Sequence, residues 1–155
     1  MLQWALSRPV YHLIESLVDA CRDAVQPLPG SVVYCDLAFG FAEHTGIYLG
    51  GGRIAHLNGN GIIESVDQHD FVKGTPSIRI VVSARNTSAV GCGKVAERAR
   101  TMLGSRRRYN FILNNCHQFT AGCLTGDVEN ANSFLWMVKF EAEKKLRADS
   151  WRAWR

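Results

Sequence analysis

The sequence predicts an α+β domain, an antiparallel sheet of four to six short strands packed with helices on one side. Three observations carry this. Helical spacing of apolar residues is found towards the two ends of the chain. Between them lie short β-like runs, several separated by glycine-rich or Asn/Gly turns, as antiparallel hairpins require. Alternating βα units are absent, which argues against a doubly wound sheet.

The elements follow in order. Ser7 can cap a first helix with Pro9 in its opening turn. Leu13, Ile14, Leu17, Val18, Cys21 and Val25 then form one apolar stripe, and "QPLPG" ends it. Strands are expected at 31–37, 44–50, 53–58, 61–66 and 77–83, and a helix at 88–103 with Val95, Ala99 and Met102 on one face. After "NN" a helix begins near Cys116, and a last one spans 131–148. With 155 residues the chain makes one domain, divided here into a helical extension (1–28), a core (29–125) and a C-terminal helix (126–155).

Composition narrows the function. Apolar and charged fractions of 46% and 21% are ordinary for a globular protein. A net charge of +4 does not identify nucleic acid as a partner, and the basic runs "SRRRY" and "RADSWRAWR" read as a solvated loop and tail. Five cysteines without a CxxC pair argue against a disulfide framework or structural zinc. The N-terminus does not read as a secretory signal, and no run reaches the ~20 apolar residues of a membrane span. A cytoplasmic setting is the expectation, and no cofactor is implied.

His44 and His56 flank "GGG" at 50–52. If those glycines form the loop and Leu49 pairs with Arg53, Gly46 lies opposite His56. Both histidines then project from one face as diagonal neighbours. A two-residue loop would send one of them to the other face. Two histidines on one face suggest a metal pair or a catalytic pair. His12, His69, His117, Asp67 and Asp70 offer no recognisable ligand spacing with the pair, so no metal is assigned.

Cys116 follows "NN" at a helix start, with Asn114 or Asn115 as N-cap. Backbone N–H groups there stabilise a thiolate and can bind an oxyanion. From this context alone, a buried structural cysteine is as good a reading. His117 points about 100° away around the helix and is not expected to be the base.

Together, a histidine followed by "GIYLGGGRIAHLNG" and, later, "VAERARTMLGSRRRYNFILNNCHQF" resemble the lecithin:retinol acyltransferase-like family over residues 29–125. These proteins are circularly permuted relatives of papain-like hydrolases and of NlpC-type peptidases. The resemblance implies that fold, with Cys116 as nucleophile, His44 as general base and His56 as its orienter. The Cys116 N–H is then the expected oxyanion donor, with Asn115 and Tyr48 as supporting candidates. Thr45 stands where many members carry an aromatic residue.

The leading expectation is therefore a thiol hydrolase or acyltransferase acting on an ester, thioester or amide, with a phospholipid-type acyl donor first. A peptidase or amidase of the NlpC branch is the enzymatic alternative, and a non-enzymatic module keeping the fold is the other. The basic C-terminal helix, with Phe134, Trp136 and Phe140 before its lysines and Trp151 and Trp154 beyond, offers two placements. It either docks on the core with charges outward or lies on an anionic membrane.

Overall fold

The computed structural model describes residue 14 and residues 23–37, 42–108 and 115–155. Nearly all of the expected first helix, including Cys21, lies outside these. Its expected last residue, Val25, is instead a buried β-bridge residue parallel to Trp154.

The fold is α+β, with a seven-stranded sheet rather than four to six. Its strands are β1 (Val32–Asp36), β2 (Glu43–Gly50), β3 (Arg53–Leu57), β4 (Ile63–Val66), β5 (Val81–Arg85), β6 (Ser88–Ala89) and β7 (Ser150–Ala153). The order is β4-β3-β2-β1-β5-β6, with β7 also on β5, and every pairing is antiparallel. Four helices complete the described residues: α1 (Gln68–Val72), α2 (Gly93–Met102), α3 (Cys116–Thr125) and α4 (Leu135–Leu146).

Several segments differ from the sequence expectation: α1 was not expected, and the strand expected at 77–83 begins only at Val81 as β5. The first residues of the expected 88–103 helix form β6, and the helix starts only at Gly93. The basic tail is not solvated but forms β7, burying Trp151 and Ala153 while Arg152 stays partly exposed. Its period-two pattern is a strand signal that a charge reading hides.

The sheet is covered on both faces. Val32, Tyr34, Ile47, Ala55, Leu57 and Val81 pack with α2, α3 and α4. Their alternates Val33, Cys35, Ile54 and Val82 pack with Phe71 of the short α1 and with Val25 and Ile80. This corrects the one-sided expectation. It also explains why β1 is almost wholly buried, with no polar face.

The β2–β3 hairpin decides the site. Gly51 and Gly52 form a two-residue turn with φ of 59° and 76°, the positive pair such a turn requires. Gly50 pairs with Arg53, yet beyond the turn Tyr48 pairs with Ile54 and Ile47 with Ala55. Leu49 is therefore the extra residue of a bulge, and its carbonyl accepts from Arg100 of α2. The bulge restores the parity that a plain two-residue loop would have lost. The expected register holds, by a different device.

α3 is buried from Cys116 to Leu124, as expected for a helix enclosed on all sides. Asn115 caps it, its side-chain oxygen accepting from the N–H groups of His117 (3.0 Å) and Gln118 (3.1 Å). Gly126 ends it at φ 84°, the left-handed cap position. Among the described residues no helix is long and apolar enough to cross a membrane.

Candidate active site

The two histidines meet. His44 Nε2 lies 2.6 Å from His56 Nδ1, and the rings cross edge-on with centroids 4.8 Å apart. Phe71 of α1 packs on both, 4.9 Å from the His44 ring and 5.7 Å from that of His56. Gly46 makes room for this. A Cβ there would fall 2.7 Å from the Ala55 carbonyl oxygen and 3.1 Å from the Phe71 ring.

Burial sets the charge state of the pair. Desolvation first, then repulsion from His56 and His117, holds His44 down at about 3. Desolvation lowers His56 as well, opposed by Glu64, whose Oε1 lies 3.3 Å from His56 Nε2. Both rings are neutral at pH 7, which leaves each a lone pair, while burial weakens His44 as a proton acceptor.

Cys116 heads α3, and its Sγ sits 3.9 Å from the Glu43 carbonyl oxygen, the peptide that leads into His44. Burial pushes the thiol up to about 11, opposed by the Thr45 N–H and hydroxyl and by the N–H groups of His117 and Cys116. The resting group is a thiol, not a thiolate. Among the described residues no hydrogen bond joins Cys116 to either histidine ring. The reason is alternation: on β2, Thr45 faces α3 whereas His44 faces α1.

A second polar cluster, not anticipated from the sequence, lies on the α3 side. Thr45 Oγ1 accepts from Thr120 Oγ1 at 3.0 Å and lies 3.2 Å from His117 Nδ1. His117, expected to point elsewhere, thus approaches the sulfur's environment through Thr45, and burial holds it at about 4. No motif marks this cluster, because Thr45 and Thr120 are 75 residues apart and meet only by packing.

The supporting candidates are placed differently. Asn115 is committed to the cap, and its Nδ2 donates to the Ser133 carbonyl at 2.9 Å. Tyr48 is four residues along β2 from His44, roughly 13 Å at strand rise. Its hydroxyl accepts from the Gly52 N–H at 3.1 Å and its ring packs on Trp154. Those contacts brace the hairpin, and among the described residues no hydrogen bond joins Tyr48 to Cys116. Asp67, His69 and Asp70 gather at the start of α1, all exposed and apart from the pair, with Asp67 capping the helix.

A sequence model of the family described as lecithin retinol acyltransferase matches residues 26–129. The chain belongs to that family. The match spans every residue of both clusters, and the family implies the permuted papain-like fold. Its members are generally thiol acyltransferases or hydrolases. A search of curated proteins returned no significant match.

Proposed function

We propose that the protein is a cysteine-dependent acyltransferase or hydrolase, with Cys116 as nucleophile, His44 as base and His56 as its orienter. The observation that carries this reading is the 2.6 Å contact between His44 Nε2 and His56 Nδ1. It leaves His44 Nδ1 without a hydrogen-bond partner among the described residues, on the residue whose leading peptide touches the sulfur.

Catalysis begins as Sγ turns from the Glu43 carbonyl towards His44 Nδ1 and gives up its proton. The thiolate attacks the acyl carbon, a C–S bond forms, and the oxyanion is held by the Cys116 N–H at the positive end of α3. The His44 imidazolium then protonates the leaving oxygen as the C–O bond breaks. Water, an alcohol or an amine, deprotonated by His44, takes the acyl group and frees the cysteine.

A phospholipid-type donor and peripheral membrane contact form the finer part of the reading. They are supported by α4, which buries Leu135, Val138, Ala142 and Leu146 yet leaves Phe134, Trp136 and Phe140 55%, 57% and 54% exposed. Exposed Lys144, Lys145 and Arg147 follow on the same segment, the composition of an anionic-interface helix. Trp151 and Trp154 take no part, being packed on Tyr34 and Tyr48, and Lys139 lies over the Tyr34 and Trp151 rings.

A second base is supported by a specific contact. His117 lies 3.2 Å from Thr45 Oγ1, whose hydroxyl touches the sulfur, so a proton could leave through Thr45.

The test is intact-mass detection of an acyl-enzyme after incubation with phosphatidylcholine vesicles, a soluble ester and a peptide amide. We expect an acyl mass on Cys116 from the phospholipid, absent in Cys116→Ser and His44→Ala. An adduct from the amide alone would transfer the protein to the peptidase reading. No adduct from any donor would leave the non-enzymatic module.

A further inference from the structure

We propose that Glu64 is a positioning residue that sets the tautomers of both histidines and so makes His44 Nδ1 the basic nitrogen. The inference rests on the assignment of His44 as base.

His56 and Glu64 are direct cross-strand partners on β3 and β4. His56 Nε2 is buried and has no aligned hydrogen-bond partner, and Glu64 Oε1 lies 3.3 Å from it. A small rotation of the carboxylate completes the bond, and a buried N–H left unpaired is costly. The carboxylate is itself held: Asn58 Nδ2 donates to Glu64 Oε1 at 2.9 Å. Asn58 cannot flip, because its Oδ1 accepts from the N–H groups of Asn60 (2.9 Å) and Ile62 (3.0 Å).

The direction of the chain follows from donor chemistry. A carboxylate only accepts, so His56 Nε2 must carry the proton. In a neutral ring His56 Nδ1 then holds a lone pair and accepts from His44 Nε2–H. That leaves the lone pair of His44 on Nδ1, where a thiol proton can be received. Without Glu64 the 2.6 Å bond can run the other way, with His56 donating and the His44 proton on Nδ1. In that state the base is blocked. When His44 is protonated, Glu64 also offsets the charge shared by the rings. The groups facing the pair are Glu64 from β4, the buried Cys35 thiol opposite His44 on β1, the neutral Phe71 from α1 and the more distant His117 on α3.

The experiment is long-range 1H–15N NMR of the full chain with 15N-labelled histidine, paired with acylation kinetics. In the wild type we expect both His44 and His56 protonated at Nε2. Glu64→Ala should move part of each population to the Nδ1–H form and lower kcat roughly 10- to 100-fold with KM little changed. Glu64→Gln, whose amide oxygen still accepts, should keep the tautomers and most of the rate, and it guards against misfolding of the alanine variant. Unchanged tautomers in Glu64→Ala would overturn the proposal whatever the activity. The expected tautomer shift with no acylation by the wild type would uphold the positioning role and overturn the catalytic assignment instead.

Discussion

The two faces of β2 at its first turn of alternation make an instructive pair. His44 looks towards α1 and shares a short bond with His56 beneath Phe71. Thr45, the next residue, looks towards α3 and joins Thr120, His117 and the sulfur of Cys116. Both faces hold a buried neutral histidine, but only the Thr45 face touches the resting thiol. The His44 face holds the base we propose, whose Nδ1 has no hydrogen-bond partner among the described residues. Under the proposed mechanism the sulfur, at the head of α3, turns from the Thr45 side towards His44.

The largest expected effect separates the two faces directly. His44→Ala should lower kcat/KM for acyl transfer at least about 10³-fold, as loss of the base does in related triads, whereas His117→Gln should change it by less than about tenfold. The reverse order, read from steady-state kinetics, would put the base on the Thr45 face. Thiol alkylation is a poor substitute for this measurement, since burial holds Cys116 at about 11 and Cys35 and Cys123 at about 12.

Acid should weaken both faces. The values of about 3 for His44 and about 4 for His117 lie below the ordinary 6.5, so the unfolded chain binds more protons between them. Stability is complete above pH 6.5 and falls as pH drops towards 4, by about 2 kcal/mol per histidine between pH 7 and 5. Urea denaturation at the two pH values checks this, and His117→Phe should remove its own share of about 2 kcal/mol, leaving the fall due to His44 and His56.

Packing distinguishes the faces next. Gly46→Ala should cost about 1–3 kcal/mol, because its Cβ would meet the Ala55 oxygen at 2.7 Å and Ile54 Cγ2 at 2.8 Å. Thr45→Val should cost about 1–3 kcal/mol by stripping Thr120 and His117 of their partner. Both are read from denaturant midpoints, and a collapse of kcat in Thr45→Val alone would favour the His117 path. The smallest stability effect belongs to Trp136→Ala and Phe140→Ala, within about 0.5 kcal/mol because both side chains are exposed. Flotation with anionic vesicles should nevertheless fall in the double variant. Unchanged binding would remove the membrane role of α4.

Much of the site was legible before any coordinates. The helix start at Asn115, the strand parity of His44 and His56 and the face of Val95 and Ala99 all follow from local periods of two or 3.6 residues. The bulge at Leu49 was not legible, since three glycines fit a three-residue loop as well as a two-residue turn with a bulge. Arg100 meets the Leu49 carbonyl only in the fold. β7 carried a period-two signal that its charges hid, and its place on β5 was not legible. Glu64 looked like an ordinary strand residue, and Thr45 stood out only for replacing an aromatic residue, not for its contacts with Thr120 and His117.

The sequence by itself determined the α+β class and the cysteine at a helix start, because each follows from neighbouring residues. The histidine pair also needs the bulge at Leu49 to keep both rings on one face. The tertiary structure alone decided which way the sulfur faces and which histidines surround it. Those choices depend on contacts between segments tens of residues apart, and their distances come from packing, not from spacing along the chain.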